Sequence, residues 1–267
     1  MTLQKNFDLG DKVILVTGAA GHLGHAISGR LVKAGAFVYL NGRTPETLKE
    51  LESDLSKYAG GCLALPFDIS DQKALRENVR TIKEKSGRLD GLVNNAFVPM
   101  GGSVDDATYD DFQKCFSVNV SALFDLTQQC LPLLERKHKT DDYASIVNIA
   151  SMYGVVSPDP SIYGDSGMNN PPFYGASKAA IIQLSRYFAG HVTDRGIRTN
   201  SVSPGAFPPP AIIKDMPDFH KQLCKKNPMG RIGNPDEVAA AVHFLLSADS
   251  SYVNGINLPV DGGWTAW

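Results

Sequence analysis

The sequence predicts an α/β fold, a doubly wound parallel sheet of about seven strands in a single domain, and three observations carry that prediction. Seven short apolar runs alternate along the 267 residues with segments of helical periodicity. Glycines cluster where the first run meets the first helical segment, at Gly18, Gly21 and Gly24. No internal repeat or low-complexity linker divides the chain. Strands and helices that alternate in this way build a parallel sheet covered on both faces.

Residues 13–17 (Val-Ile-Leu-Val-Thr) read as a first buried strand, and Ile27, Leu31 and Val32 give the following helix an apolar stripe until Gly35 stops it. A second strand spans 37–40, a helix 45–57 and a third strand 62–67. The helix over 71–85 has Ser70 as its candidate cap. Residues 91–94 form the fourth strand, and 109–137 a long helical stretch that Pro132 bends or ends. The fifth strand, 144–149, stops just before Ser151. A helix carrying Tyr174 runs to about His191, followed by a strand at 197–202, a helix at 235–246 and a last strand at 256–260.

Composition excludes several partners. With 26 basic and 28 acidic residues the net charge is −2, which gives no electrostatic case for nucleic acid or an anionic membrane. No apolar run approaches the roughly 20 residues that span a bilayer, and the first eleven residues lack a signal-peptide core. Cys62, Cys115, Cys130 and Cys224 show no C-x-x-C spacing and read as reduced structural thiols. A cytoplasmic location is the default. The six histidines form no H-E-x-x-H cluster, so no metal is expected, and His243 between Val242 and Phe244 reads as a core residue.

Glycines between a strand and a helix allow a tight turn, close approach of backbone to a pyrophosphate, and tight helix-on-strand packing. The helix N-terminus then offers free N–H groups to phosphates. A turn using glycine only for backbone freedom is the alternative. Beyond the second strand the chain reads Asn41-Gly42-Arg43, with no carboxylate until Glu46. A carboxylate there would bond the ribose of NAD, whereas Arg43 has the fork to hold a 2′-phosphate, so NADP(H) is favoured over NAD(H). Arg43 as a solvated loop residue is the competing reading.

Tyr174 and Lys178 lie four apart, on one face of their helix. An ammonium beside a phenol favours the phenolate and brings the hydroxyl into use as a proton donor or acceptor near neutrality. Ser151 lies at a strand end, where open parallel sheets place ligands. The spacing alone also fits a packed phenol beside a solvated lysine.

Together, Thr17-Gly18-Ala19-Ala20-Gly21-His22-Leu23-Gly24, Asp68-Ile69, Asn94-Asn95-Ala96, Asn119, Ser151, Tyr174 with Lys178, Pro204-Gly205 and Val260-Asp261-Gly262-Gly263 resemble the short-chain dehydrogenase/reductase family over nearly the whole chain. The resemblance implies a single-domain Rossmann fold over residues 1–267 and an enzyme that interconverts a secondary alcohol and a ketone. Tyr174 would be the general acid/base, Lys178 the holder of the nicotinamide ribose, Ser151 the group orienting the carbonyl, and Asn119 the support of a water-linked proton relay. Cofactor contacts would fall on Gly18, Gly21, His22, Leu23, Gly24, Arg43, Asp68, Ile69, Asn94, Ala96, Tyr174, Lys178, Pro204 and Gly205. A small-molecule substrate and a homotetramer or homodimer are also implied.

Three departures from the classical pattern stand out. His22 occupies the usual place of the middle glycine, so the spacing resembles the extended branch of the family. Phe97 follows Asn94-Asn95-Ala96 where a glycine is usual and narrows the pocket. Residues 152–173 separate Ser151 from Tyr174, longer than the roughly dozen residues common in classical members. That polar, turn-rich insertion is expected to bring Tyr153, Tyr163 or Asn169 over the substrate, or else to be a structural loop at a subunit contact. Residues 206–228, including Phe207, are expected to form a substrate lid with a stiff, extended start. The insertion and Asn41-Gly42-Arg43 both hint at a sugar-like, polyhydroxylated substrate. A 3-oxoacyl-carrier-protein reductase and a catalytically silent nucleotide-binding regulator are the alternatives.

Overall fold

The computed structural model describes residues 7–136, 143–164, 166 and 169–266; the predicted helix end at Lys137 and the first six residues lie outside them. Seven parallel strands form one sheet in the order β3-β2-β1-β4-β5-β6-β7. They are β1 (Val13–Val16), β2 (Phe37–Gly42), β3 (Cys62–Pro66), β4 (Gly91–Asn94), β5 (Ala144–Ile149), β6 (Ile197–Pro204) and β7 (Asn257–Val260). Each is the apolar run expected, because a strand covered on both faces needs apolar side chains on both. Strands β2 and β6 run two residues further than their apolar runs, since Gly42 still pairs with Pro66, and Pro204 with Val260.

The chain builds outward from β1 to β3, then returns to place β4 on the other side of β1. Loops leaving neighbouring strands at this reversal diverge, and the crevice between them is where open α/β sheets bind ligands. One apolar layer packs α1 (His22–Lys33), α2 (Pro45–Leu55) and α9 (Pro235–Leu246) on one face; α3 (Gln72–Ser86), α5 (Leu123–Leu134) and α6 (Pro172–His191) cover the other. His243 lies in the first layer, buried, its ring between Arg30 Nε and the carbonyl of Phe7.

Two local expectations are corrected. Asp71, not Ser70, caps α3: its carboxylate accepts from the amides of Lys73 and Ala74 at 2.9 and 3.1 Å, while Ser70 donates to Asp68. The helical stretch from Tyr109 breaks earlier than Pro132, into α4 (Tyr109–Phe116), a π-helical turn over Ser117–Ala122, and α5. Pro132 lies inside α5, which ends at Leu134. The widened turn carries Asn119 inward to full burial.

Gly24 sits where α1 meets the glycine turn. A Cβ there would lie 2.0 Å from the carbonyl oxygen of Gly18, a backbone atom that cannot step aside. Gly24→Ala is therefore expected to lower stability by about 2–3 kcal/mol, read as a lower urea midpoint at unchanged m.

Candidate active site

A cavity of about 550 Å³ opens at the C-terminal ends of the strands, and the residues that follow β1 to β6 line it. Gly18, Gly21, His22, Leu23, Arg43, Asp68, Ile69, Ala96, Phe97, Ser151, Tyr174, Lys178, Pro204, Gly205 and Phe207 all reach it, as expected. Thr44, Thr47, Val98, Val118 and Pro209 join them without having been singled out, as do Asn41 and Asn95, which were quoted in motifs but given no contact. Thr44 and Thr47 were within reach of sequence reasoning, being hydroxyls one and four residues past Arg43.

At one end Gly18 has φ +62°, and a Cβ on it would meet Ala96 Cα at 3.0 Å. Gly21 is the N-cap of α1, with no side-chain cap and no acidic residue in the first turn, so the helix end presents amides and a positive dipole to the cleft. Among the described residues the buried Nε2 atom of His22 has no partner, and burial pushes the imidazole pKa below its ordinary value. Burial pushes Asp68 up, but hydrogen bonds from the Ser70 side chain and backbone, helped by the Arg43 charge, outweigh it and hold the carboxyl below its usual range.

Several expected contacts do not reach the cavity. Asn94 turns away from it, its amide donating to Thr127 Oγ1 at 3.1 Å and Asn148 Oδ1 at 2.8 Å. The neighbouring Asn95 faces the turn instead and donates to the carbonyls of Thr17 and Gly18, both at 3.0 Å. Strand alternation decides which of two adjacent asparagines points inward. Gly24 acts beneath the cavity through packing. Tyr153 and Tyr163 are hydrogen-bonded to each other and pack with Met152, Ile162, Leu223 and Trp264 in a small apolar cluster. Burial of these rings is worth more than leaving them over an open cleft.

The same cluster joins residues 152–173 to residues 206–228. Tyr163 stacks on Phe219 at 5.5 Å, and Asp159 pairs with Lys226 at 2.8 Å. Residues 206–228 hold two helices, α7 (Pro210–Asp215) and α8 (Pro217–Lys226). Pro208 and Pro209 make the stiff lead-in, and Pro210 takes the first helical position, where its missing N–H costs nothing. Leu223 of α8 is buried in the cluster, whereas α7 buries no residue.

At the catalytic end Lys178 is 3% exposed and donates to the carbonyl of Ile149 at 2.8 Å. Burial depresses its pKa to about 8, offset a little by the Cys115 thiol. Among the described residues its other N–H groups have no acceptor, which leaves donors for the hydroxyls of a bound ribose. The expected acidification of Tyr174 is not found: burial raises its pKa, and only a hydrogen bond from Ser151 counteracts this, with Cys115 adding to the rise. Desolvation wins because Lys178 directs its proton at a carbonyl rather than at the phenol. Asn119 ties the site together from behind. Its Oδ1 accepts from Val98 N at 3.0 Å and its Nδ2 donates to Ser177 Oγ at 3.2 Å, while Ser177 bonds the Tyr174 carbonyl at 2.8 Å.

A glycine cradle at a bare helix end, a guanidinium in the same cavity and a buried ammonium with one of its three N–H groups bonded together suit a nicotinamide dinucleotide. The family described as Enoyl-(Acyl carrier protein) reductase matches residues 18–265. The chain is also 34% identical over 260 residues to the rhamnolipids biosynthesis 3-oxoacyl-[acyl-carrier-protein] reductase of Pseudomonas aeruginosa, covering 97% of this chain and 98% of that protein.

The chain belongs to the short-chain dehydrogenase/reductase family. A second member of the family, the meso-2,3-butanediol dehydrogenase of Serratia marcescens, is 34% identical over 262 residues, or 96% of this chain and 95% of its own. A gluconate 5-dehydrogenase from Burkholderia cenocepacia, solved with NADP and tartrate, superposes with a TM-score of 0.87 at 27% identity over 100% of both chains. Members of this family are oxidoreductases acting on CH–OH groups, and this chain is one of them. No helix of the described residues is long and apolar enough to cross a membrane, and none of their His, Cys, Asp and Glu side chains group to hold a metal.

Proposed function

We propose that this enzyme uses NADP(H) to interconvert a secondary alcohol and a ketone on a sugar-like, polyhydroxylated substrate. The reading is carried by the convergence of Ser151, Tyr174 and Lys178 on one end of a cavity whose other end holds the glycine turn and Arg43. A bound nicotinamide supplies or accepts the hydride. In the reduction, the Ser151 and Tyr174 hydroxyls point donors at the carbonyl oxygen, where charge grows towards the transition state. Tyr174 Oη gives that oxygen its proton, and in the oxidation Tyr174 takes it back. Lys178 holds the ribose with its spare N–H groups, and Asn119 keeps α6 and the loop after β4 in register with it.

Arg43, Thr44 and Thr47 line the cavity on the loop after β2, where no carboxylate precedes Glu46, and this favours NADPH. Arg43→Ala is expected to weaken NADPH binding about 10- to 100-fold and leave NADH binding within a factor of two, measured by nucleotide fluorescence. Equal NADPH affinity in the variant removes the assignment.

The polyhydroxylated substrate is supported by likeness to a gluconate 5-dehydrogenase solved with NADP and tartrate. A second reading, reduction of a 3-oxoacyl thioester, is favoured by the apolar wall of Phe97, Val98, Phe207 and Pro209 flanking the catalytic groups. A panel of keto-sugars, diketones and acyl thioesters assayed by NADPH oxidation separates them; turnover of thioesters alone overturns the sugar assignment. Exposed Tyr109, Phe112, Phe124 and Tyr187 on the outer faces of α4, α5 and α6 support a homotetramer or homodimer, which light scattering tests. A cytoplasmic setting and a lid function for 206–228 belong to the same reading.

A further inference from the structure

Phe97 follows the Asn94-Asn95-Ala96 turn at the end of β4 and stands in the cavity with 48% of its surface exposed. Its ring lies 5.5 Å from Lys178 Nζ, with the cation over the face, and meets the Tyr174 ring edge-on at 6.3 Å and 66°. The backbone amide of the next residue, Val98, is held by the buried Asn119 side chain at 3.0 Å, so the loop that presents the ring is fixed. A large apolar side chain left half in solvent calls for a reason other than core packing.

The Lys178 ammonium supplies that reason. It is buried, and among the described residues its single hydrogen bond goes to the Ile149 carbonyl. The other groups around it are the Tyr174 phenol on its own helix and the Cys115 thiol from α4; no carboxylate among the described residues neutralises it. An aromatic face carries negative charge density and attracts a cation within about 6 Å, most strongly where water is excluded. A glycine at this position, usual in the family, would leave that side of the ammonium bare.

We propose that Phe97 is a positioning residue for the catalytic pair, its face holding the Lys178 ammonium and its edge fixing the Tyr174 ring. This rests on the reading of Tyr174 and Lys178 as the catalytic pair. The ring keeps the amine protonated and aimed before nucleotide binds, which a substrate wall alone would not do.

The test compares wild type, Phe97→Leu and Phe97→Trp, measuring NADPH affinity by fluorescence from about pH 6 to 10, together with kcat and KM for ketone reduction. Removing the face is expected to move the midpoint at which NADPH affinity falls down by about 0.5–1 pH unit. It should also lower kcat about ten-fold while KM for the ketone changes less than two-fold. Phe97→Trp should restore both, since indole is the better cation acceptor. Superimposable titrations for Leu and wild type, or a loss confined to KM, overturn the proposal. Circular dichroism and melting temperature verify that each variant is folded. Tyr174→Phe, run alongside, separates the two failures: if it stays active, the catalytic pair is misassigned, whereas an inactive Tyr174→Phe with an unmoved Phe97→Leu titration sinks the role of Phe97 alone.

Discussion

Tyr174→Phe is expected to lower kcat for ketone reduction by about three orders of magnitude while leaving NADPH affinity within two-fold. The substitution removes one oxygen and keeps the ring that packs against Phe97. What is lost is the proton donor and one of two hydroxyls aimed at the developing oxyanion, and positioned acid/base groups contribute about 10²- to 10⁴-fold. The pH profile carries a second signature. The Tyr174 hydroxyl lies above its ordinary value, so it remains protonated through the neutral range and does not set the alkaline limb. Lys178, at about 8, does. Reduction by the wild type should therefore decline above about pH 8, as the cation that holds the ribose is lost. Stopped-flow single turnovers with and without substitution check both statements; a Tyr174→Phe enzyme within ten-fold of wild type assigns the proton to another group.

Lys178→Met should abolish measurable activity and yet give a more stable nucleotide-free protein. A lysine whose pKa falls from 10.5 unfolded to about 8 folded is a charge the fold holds at a cost. Between those two values the unfolded chain binds more protons than the native one, so wild-type stability climbs as pH rises from about 8 to 10.5. The protonated amine thus weakens the native state at neutral pH by up to about 3 kcal/mol. Methionine has similar length and no charge, but it deprives the Ile149 carbonyl of its donor, which returns about 1–2 kcal/mol. A net gain of about 1–2 kcal/mol, or a few degrees in Tm, is expected at pH 7. The rise between pH 8 and 10.5 should be missing from the variant, and NADPH should no longer raise its Tm. A variant that melts below wild type and keeps the alkaline rise would show that the buried amine is not the source of the strain. Sites that act on substrate commonly hold charges that the fold alone would reject.

Much of this protein was legible in its sequence because the signals were local. Alternating apolar runs give the strands, since a strand covered on both faces must be apolar throughout. Gly18, Gly21 and Gly24 give the turn because their spacing is dictated by backbone geometry within a single loop. A strand end and one helical turn bring Ser151, Tyr174 and Lys178 within reach of one another, but the spacing alone was weak and their roles came from the resemblance to the family. Tertiary structure decided what depends on partners far along the chain. It chose Asn95 over Asn94 for the turn, and it packed Tyr153 and Tyr163 into the cluster of Leu223 and Trp264 rather than into the cavity. It also sent the Lys178 proton to Ile149, so burial raises the Tyr174 pKa that the sequence had suggested the lysine would lower. Spacing specifies which groups are close, whereas desolvation and competing acceptors, which set their charge, exist only once the chain has closed around them.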